Sequence, residues 1–205
     1  MDGRDLLETR GAVHSLAEEV RPMKAIEMRR WTRAEYDKMI SAGLFSPGER
    51  VELIDGEILR MTPQGTAHFT AIRLAEEATR KAFGAGFEVR TQGPLALTPD
   101  SEPEPDLAVV PGTARDYSRE HPGTALLLIE VSETTLGHDR QRKRDLYARA
   151  GVPDYWIVNL PERCVEVYRA PEQGAYRSSR HFTAEEQISP LAAPDSKIAV
   201  ADLLP

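Results

Sequence analysis

The stretch EPEPDLAVV, residues 102–110, places Asp106 directly before an apolar run, and LLLIE, residues 126–130, ends a second apolar run on Glu130. Near-continuous apolar runs of this kind are typical of strands buried on both faces. A carboxylate at the edge of such a strand is costly unless it is hydrogen-bonded, paired or bound to a cation. The two stretches therefore predict a central sheet with candidate metal ligands at its edge.

The rest of the chain surrounds these strands with helices and further strands. TRAE, residues 32–35, matches a capping box that begins a helix, and Asp55-Gly56 predicts a tight hairpin between two short strands. Further helices are predicted over 67–83 and 136–150, and further strands over 87–97, 154–160, 165–168 and 175–182, with coil or a short edge segment after them. This order indicates an α/β fold, bordering on α+β, with a mixed central β-sheet flanked by helices. Residues 1–27 are interpreted as an N-terminal arm and residues 28–205 as a single domain.

Composition narrows the functional class. The net charge of −7 argues against a broadly basic coat for nucleic acid, and no apolar run is long enough for a membrane span. The first ten residues lack the pattern of a signal peptide. Cys164 is the single cysteine, so no internal disulfide can form. We expect a cytoplasmic protein without membrane contact, in which Cys164 is a packed or edge thiol.

Asp106 and Glu130 are 24 positions apart on consecutive apolar strands, which adjacent pairing would bring together. Neighbouring strands lie about 4.8 Å apart. Two carboxylates at that separation repel each other unless a cation or a shared proton lies between them, and oxygen ligands favour Mg²⁺ or Mn²⁺. The alternative is a pair of ordinary surface acids at strand ends.

A lysine on the following helix adds to this pair. Asp139, Lys143 and Tyr147 are spaced by four and so line one helix face. One interpretation is an Asp139–Lys143 ion pair with Tyr147 packed below it. The other directs the Lys143 ammonium at the two carboxylates, where it would stabilise negative charge developing on a phosphate.

Several separated motifs now occur in one order: VELIDGE at 51–57, PD at 105–106, IEVS at 129–132, DRQRK at 139–143 and YARAGVPDYWIV at 147–158. In this order, and with His68, the chain resembles the Uma-two family of restriction endonucleases, which is placed in the PD-(D/E)xK nuclease superfamily. The resemblance runs from about Trp31 to Tyr168.

The resemblance implies a restriction-endonuclease-like core and a set of site residues. Asp106 and Glu130 would be the magnesium ligands, with the backbone carbonyl of Val131 completing the metal shell. Lys143 would be the catalytic lysine. Glu52 is similar in position to an early acidic residue of the family and would add a water-mediated ligand, the alternative being a solvated side chain beside the hairpin.

One position departs from the wider superfamily. Ser132 stands two residues after Glu130, where the superfamily has a lysine, so Lys143 must supply the positive charge from its helix. Ser132 would then hydrogen-bond a ligand carboxylate or end the strand. His68 is a second-tier candidate whose alternative is a solvated or core imidazole, and His121 and His138 are expected to be solvent-exposed.

The leading hypothesis is a magnesium- or manganese-dependent endonuclease that hydrolyses DNA phosphodiester bonds with metal-activated water. The resemblance also implies a homodimer. The basic run Arg140 to Arg149, together with Arg177 and Arg180, would contact phosphates. One alternative is a catalytically inactive nuclease-fold module that binds nucleic acid or another partner. A third hypothesis is a hydrolase of a small phosphorylated substrate.

Overall fold

The computed structural model describes residues 27–205. The predicted N-terminal arm, apart from its last residue, lies outside the described residues, and the single domain over 28–205 stays a prediction. A six-stranded sheet forms the centre, in the order β3 (Phe87–Thr91), β4 (Leu107–Pro111), β5 (Leu127–Ser132), β6 (Asp154–Asn159), β7 (Cys164–Glu172) and β8 (Ala175–Thr183). Only β5 and β6 are parallel. The predicted mixed sheet is confirmed.

The N-terminal elements follow their local signals. Helix α1 (Arg33–Ser41) begins with the predicted capping box, in which Thr32 and Glu35 exchange backbone and side-chain hydrogen bonds. Strands β1 (Val51–Ile54) and β2 (Glu57–Arg60) form an antiparallel hairpin. Asp55 and Gly56 between them have φ of 50° and 73°. Two successive positive φ values are what a type I′ turn requires, and this explains the Asp-Gly pair.

Two apolar layers cover the sheet. On one face, Ala71, Ile72 and Ala75 of α2 (Thr66–Phe83) pack against a cluster that includes Val109 and Ile129. The opposite face packs against the helix that follows β5, through Leu146 and Tyr147 among others. Each central strand is therefore buried on both sides, which is why β4 and β5 read as unbroken apolar runs.

The C-terminal segment has more regular structure than the predicted coil or short edge segment. It forms β9 (Gln187–Ile188), β10 (Ile198–Ala199) and the 3₁₀ helix Val200–Leu203. Five of its apolar residues are buried in the same core cluster as α2: Ile188, Ile198, Val200, Leu203 and Leu204. The prediction underestimated this segment, because its prolines and short apolar runs give no periodicity that shows burial.

The predicted helix over 136–150 also differs from a regular α-helix. It consists of α3 (Leu136–His138), a π-helical turn over Asp139–Lys143 and α4 (Arg144–Arg149). In the π turn the Arg144 N–H donates to the carbonyl of Asp139, five residues back. Single π turns occur frequently at functional sites, and this one carries Lys143.

Within residues 27–205, no helix has both the length and the apolar character that crossing a bilayer would require.

Candidate active site

The antiparallel pairing of β4 with β5 brings Asp106 and Glu130 together. Leu107 pairs with Ile129, so Asp106, just before β4, lies beside Glu130, which is inside β5 and not at its end as predicted. The Asp106 N–H is 3.4 Å from Glu130 Oε2, and the Val131 N–H donates to Asp106 Oδ2 at 2.8 Å. Asp106 is 7% exposed and Glu130 only 3% exposed. Ordinary surface acids are therefore excluded for this pair.

Lys143 points at the carboxylates and is itself buried. Its Nζ atom lies 3.0 Å from Glu130 Oε1 and 3.3 Å from Glu52 Oε2. Across residues 27–205 no Asp139–Lys143 ion pair forms, so the structure favours the second of the two interpretations for this helix face. Tyr147 also contacts the site, because its hydroxyl donates to Glu130 Oε1 at 2.6 Å.

Glu52 is part of this cluster and not a solvated residue beside the hairpin. It lies on β1, is 5% exposed, and accepts a hydrogen bond from the Glu104 N–H at 3.1 Å as well as contacting Lys143. Glu52 is thus a third carboxylate beside Lys143, and it lies on the β1–β2 hairpin, which is separate from the central sheet.

Two neighbours of Asp106 complete its surroundings. His68, in the first turn of α2, has its Nε2 atom 3.4 Å from Asp106 Oδ2. Gln92 donates from Nε2 to Asp106 Oδ1 at 3.2 Å, and its N–H donates to the Asp106 carbonyl at 3.0 Å. Gln92 has a φ of 50°, and β3 ends just before it at Thr91, short of the predicted end at residue 97. Sequence reasoning missed Gln92 as a site residue, since a glutamine in the left-handed region has no local signature.

Burial and charge shift the protonation of the buried groups. Burial raises the pKa of Glu130 to about 8, with Asp106 adding to the rise and Lys143 opposing it. Burial would also raise the pKa of Asp106, but the contacts with His68 and the Val131 N–H lower it overall. Burial alone would lower the pKa of Lys143, yet the carboxylates around it raise it well above its usual range. The lysine therefore stays charged.

These groups line one cavity of about 310 Å³. Its wall also contains Arg50, Arg60, Glu104, His138 and Asp139. His138 is half-buried here, which corrects the expectation of a solvent-exposed side chain, whereas His121 is exposed as predicted. His138 ends α3 and lines the cavity, whereas His121 lies in the connection between β4 and β5 and does not line it.

Ser132 takes the second of the two roles predicted for it, because it is the last residue of β5. Its side chain is fully buried, and its hydroxyl makes no hydrogen bond within the described part of the chain. A bond from Ser132 to a ligand carboxylate is therefore absent there. The positive charge at the site comes from the helix, through Lys143.

The basic run on that helix is not a free phosphate-binding face. Its arginines pair with carboxylates: Arg140 with Glu162 and Glu166, Arg142 with Glu57, Arg144 with Asp145, and Arg149 with Asp55. Arg177 and Arg180 likewise pair with Glu172 and Glu186. A phosphate would have to compete with these carboxylates for each arginine, so the predicted contacts with DNA stay a prediction.

A family model described as "Putative restriction endonuclease", Uma2, matches residues 33–201. The chain belongs to the Uma2 family. The match confirms the resemblance to the Uma-two family that the sequence motifs indicate. The matched range includes Glu52, Asp106, Glu130 and Lys143. Families with this type of fold generally use divalent metals.

A solved structure shows the same fold. It is described as a "putative nuclease" belonging to DUF820 from Anabaena variabilis, and it is 19% identical to the Uma2 protein described here. The match covers 84% of this chain and 96% of that chain, with a TM-score of 0.65. The restriction-endonuclease-like core is thereby confirmed. No curated protein matches the chain.

Proposed function

We propose that this Uma2 protein is a divalent-metal-dependent endonuclease that hydrolyses phosphodiester bonds in DNA. The observation that carries the proposal is the convergence of Asp106 and Glu130, both buried, with Lys143 on one wall of a cavity. The family, and the description of the solved structure as a nuclease, support phosphodiester hydrolysis as the reaction.

The residues present suit a hard cation. Asp106 and Glu130 supply carboxylate oxygens, the Val131 carbonyl is the proposed third ligand, and Glu52 is proposed to act through water. An all-oxygen set favours Mg²⁺ or Mn²⁺. Glu130, whose pKa burial raises to about 8, lacks enough positive charge to stay ionised at neutral pH, and a cation would provide it. When bound, such an ion polarises a phosphoryl oxygen and acidifies water.

The chain's own residues supply the remaining functions. Lys143 holds a permanent charge beside the carboxylates and would stabilise the negative charge that develops on the phosphate. Glu52 and Glu130 fix its ammonium from two sides, at 3.3 and 3.0 Å. Tyr147 holds Glu130 Oε1, and His68 and Gln92 hold the two oxygens of Asp106.

Substrate phosphate needs a cation at the cavity mouth, and Arg60 is the candidate. Its side chain is 79% exposed, and its contact with Glu49 is long, at 3.9 Å. Arg50, which also lines the cavity, is hydrogen-bonded to Glu104 at 3.1 Å. Arg60 therefore replaces the paired arginines of the helix as the proposed phosphate contact.

The direct test is cleavage of plasmid and linear DNA by purified protein in Mg²⁺, in Mn²⁺ and in excess chelator. We expect cleavage with either ion and none with chelator. Asp106→Ala and Lys143→Ala should each lower the rate by roughly 100-fold or more, the effect of removing one transition-state contact. Arg177→Ala, far along the sheet, is the control that should cut normally. Equal cleavage by all these proteins would show that a contaminating nuclease is responsible.

A catalytically inactive module is the second candidate. One contact favours an inactive protein: the Lys143 ammonium already occupies Glu130 Oε1, which leaves this oxygen less available to a metal ion. Calorimetric titration with Mg²⁺ separates the two: an active site should give binding heat that Asp106→Asn abolishes, whereas an inactive module should give none. The homodimer implied by the resemblance stays a prediction, which light scattering would check.

A further inference from the structure

We propose that Glu162, Cys164 and His181 form a second metal site, which takes a borderline transition-metal ion such as Zn²⁺. One ligand atom from each of the three side chains lies within 4.8 Å of the other two. None of the three lines the active-site cavity. The site is therefore separate from the carboxylate cluster and does not depend on the proposed nuclease activity.

The backbone places the three ligands with little freedom. Cys164 is the first residue of β7 and pairs with Thr183, while His181 on β8 pairs with Glu166. Residues opposite each other in an antiparallel pair share a face, and so do residues two apart on one strand. Cys164 and His181 are thus diagonal neighbours on one face of the β7–β8 ribbon.

Glu162 reaches the same point from the turn between β6 and β7. Its N–H donates to Asn159 Oδ1 at 3.0 Å, and the Arg163 N–H donates to the Leu160 carbonyl at 3.3 Å. These bonds hold the turn, so a metal would require no backbone movement at Glu162.

The local charge favours a cation. Glu162 and Glu166 share one guanidinium, because Arg140 Nη2 lies 3.1 Å from Glu162 and 2.7 Å from Glu166. Two carboxylates thus face a single positive group. Arg180 lies over the Phe182 ring and pairs with Glu186, away from this cluster. A divalent ion that took Glu162 would leave Arg140 paired with Glu166.

The chemistry of the three ligand atoms determines which metal ion the site would bind. A thiolate, an imidazole and a carboxylate suit Zn²⁺ or Co²⁺ and do not suit Mg²⁺, which prefers oxygen ligands. Cys164 is buried whereas Glu162 and His181 are exposed, so the site opens outward with room for water as a fourth ligand.

Cobalt titration of the chelator-treated protein tests the site, because a Co²⁺–thiolate bond gives a near-ultraviolet charge-transfer band. We expect the band to saturate at one Co²⁺ per chain, to be displaced by Zn²⁺ and to resist excess Mg²⁺. Cys164→Ser should abolish the band, and His181→Ala should weaken Co²⁺ binding by at least about 10-fold.

The controls separate this site from the active site. Asp106→Asn should leave the band unchanged, and His181→Ala should leave DNA cleavage unchanged. Because Cys164 is buried and its substitution can perturb folding, the exposed His181 provides the independent variant. Absence of the band in the wild-type protein, or a band of undiminished affinity in His181→Ala, would overturn the proposal whether or not the protein cleaves DNA.

Discussion

Glu130 and Glu166 occupy equivalent places in the sheet, but the pKa of Glu130 is raised and the pKa of Glu166 is lowered. Ile157 on the strand between them pairs with both, so the two glutamates lie on the same face, one on each side of it. They are 3% and 0% exposed. Burial by itself would raise the pKa of each carboxyl, and the two glutamates differ further in their hydrogen-bond partners and in the charge of their neighbours.

Glu166 is fully satisfied. Arg140 donates to both of its oxygens, at 2.7 to 3.1 Å, and Tyr168 and Asn159 donate at 2.7 and 2.8 Å. These bonds outweigh burial and lower its pKa. A buried carboxylate with such partners stabilises the fold and needs nothing further.

Glu130 is not satisfied in this way. Lys143 and Tyr147 both donate to its Oε1 atom, whereas within residues 27–205 the Oε2 atom has only the long contact with the Asp106 N–H. A second acid, Asp106, lies beside it and its pKa rises to about 8. The comparison teaches that a buried acid marks a functional site when its partners leave its charge uncompensated.

The largest expected effect comes from neutralising each glutamate in turn. Glu130→Gln should reduce DNA cleavage by roughly 1000-fold, because it removes a proposed metal ligand, while the protein stays folded. Glu166→Gln should lower the free energy of unfolding by about 3 kcal/mol and leave the activity per folded molecule unchanged. Cleavage rates and urea unfolding of both variants measure this. A Glu166→Gln protein that is stable but inactive would contradict the assignment of Glu166 to stability and of Glu130 to activity.

The two acids should also give opposite dependences of stability on pH. The pKa of Glu130 rises from 4.5 when unfolded to about 8 when folded, so the folded protein binds the extra proton between these values. In chelator, the unfolding free energy should therefore fall as pH rises through that window, by at most about 1.4 kcal/mol per unit. Glu166, whose pKa is lowered, instead contributes stability that is lost in acid.

Urea unfolding across this pH range checks the sign. The slope between pH 4.5 and about 8 should be less negative in Glu130→Gln than in the wild-type protein. Glu166→Gln should keep that slope and lose part of the acid destabilisation. Identical slopes in wild type and Glu130→Gln would mean that Glu130 is ionised in the metal-free protein.

The tyrosines that donate to the two glutamates form a matched pair. Tyr147→Phe should weaken Mg²⁺ binding by about 10-fold, because Glu130 Oε1 loses the bond that orients it. Tyr168→Phe should leave Mg²⁺ affinity unchanged and lower the unfolding free energy by about 1 kcal/mol. Calorimetric titration and urea unfolding distinguish the outcomes. Equal Mg²⁺ affinity in both variants would remove Tyr147 from the site.

The smallest expected effect extends the comparison to arginines. Arg140 is held by Glu166, whereas Arg60 at the cavity mouth is largely exposed. Arg60→Ala should weaken DNA binding several-fold and reduce the dependence of log affinity on log salt by about one unit. Arg177→Ala, which removes a paired arginine, should change neither quantity. Fluorescence anisotropy over a series of salt concentrations gives both, and equal salt slopes would reject Arg60 as the phosphate contact.

Local signals predicted much of the fold. The capping box of α1, the Asp-Gly hairpin and the apolar runs of β4 and β5 are each decided by residues within a few positions of one another. The π turn over Asp139–Lys143 has no comparable signal, because its extra residue depends on what packs around the helix. The buried C-terminal segment was underestimated for the same reason.

The sequence by itself determined which residues carry charge at the strand ends, and the order acid, acid, lysine around the Asp106 and Glu130 strands. Only the tertiary structure decided the partners. In the folded protein, Lys143 contacts both Glu52 and Glu130, and Gln92 and His68 contact Asp106. Arginines of the basic run on the helix pair with acids that are distant in sequence, such as Glu57. The physical reason is that residue types and short-range periodicity are local, whereas desolvation and charge pairing depend on contacts between segments far apart in the chain.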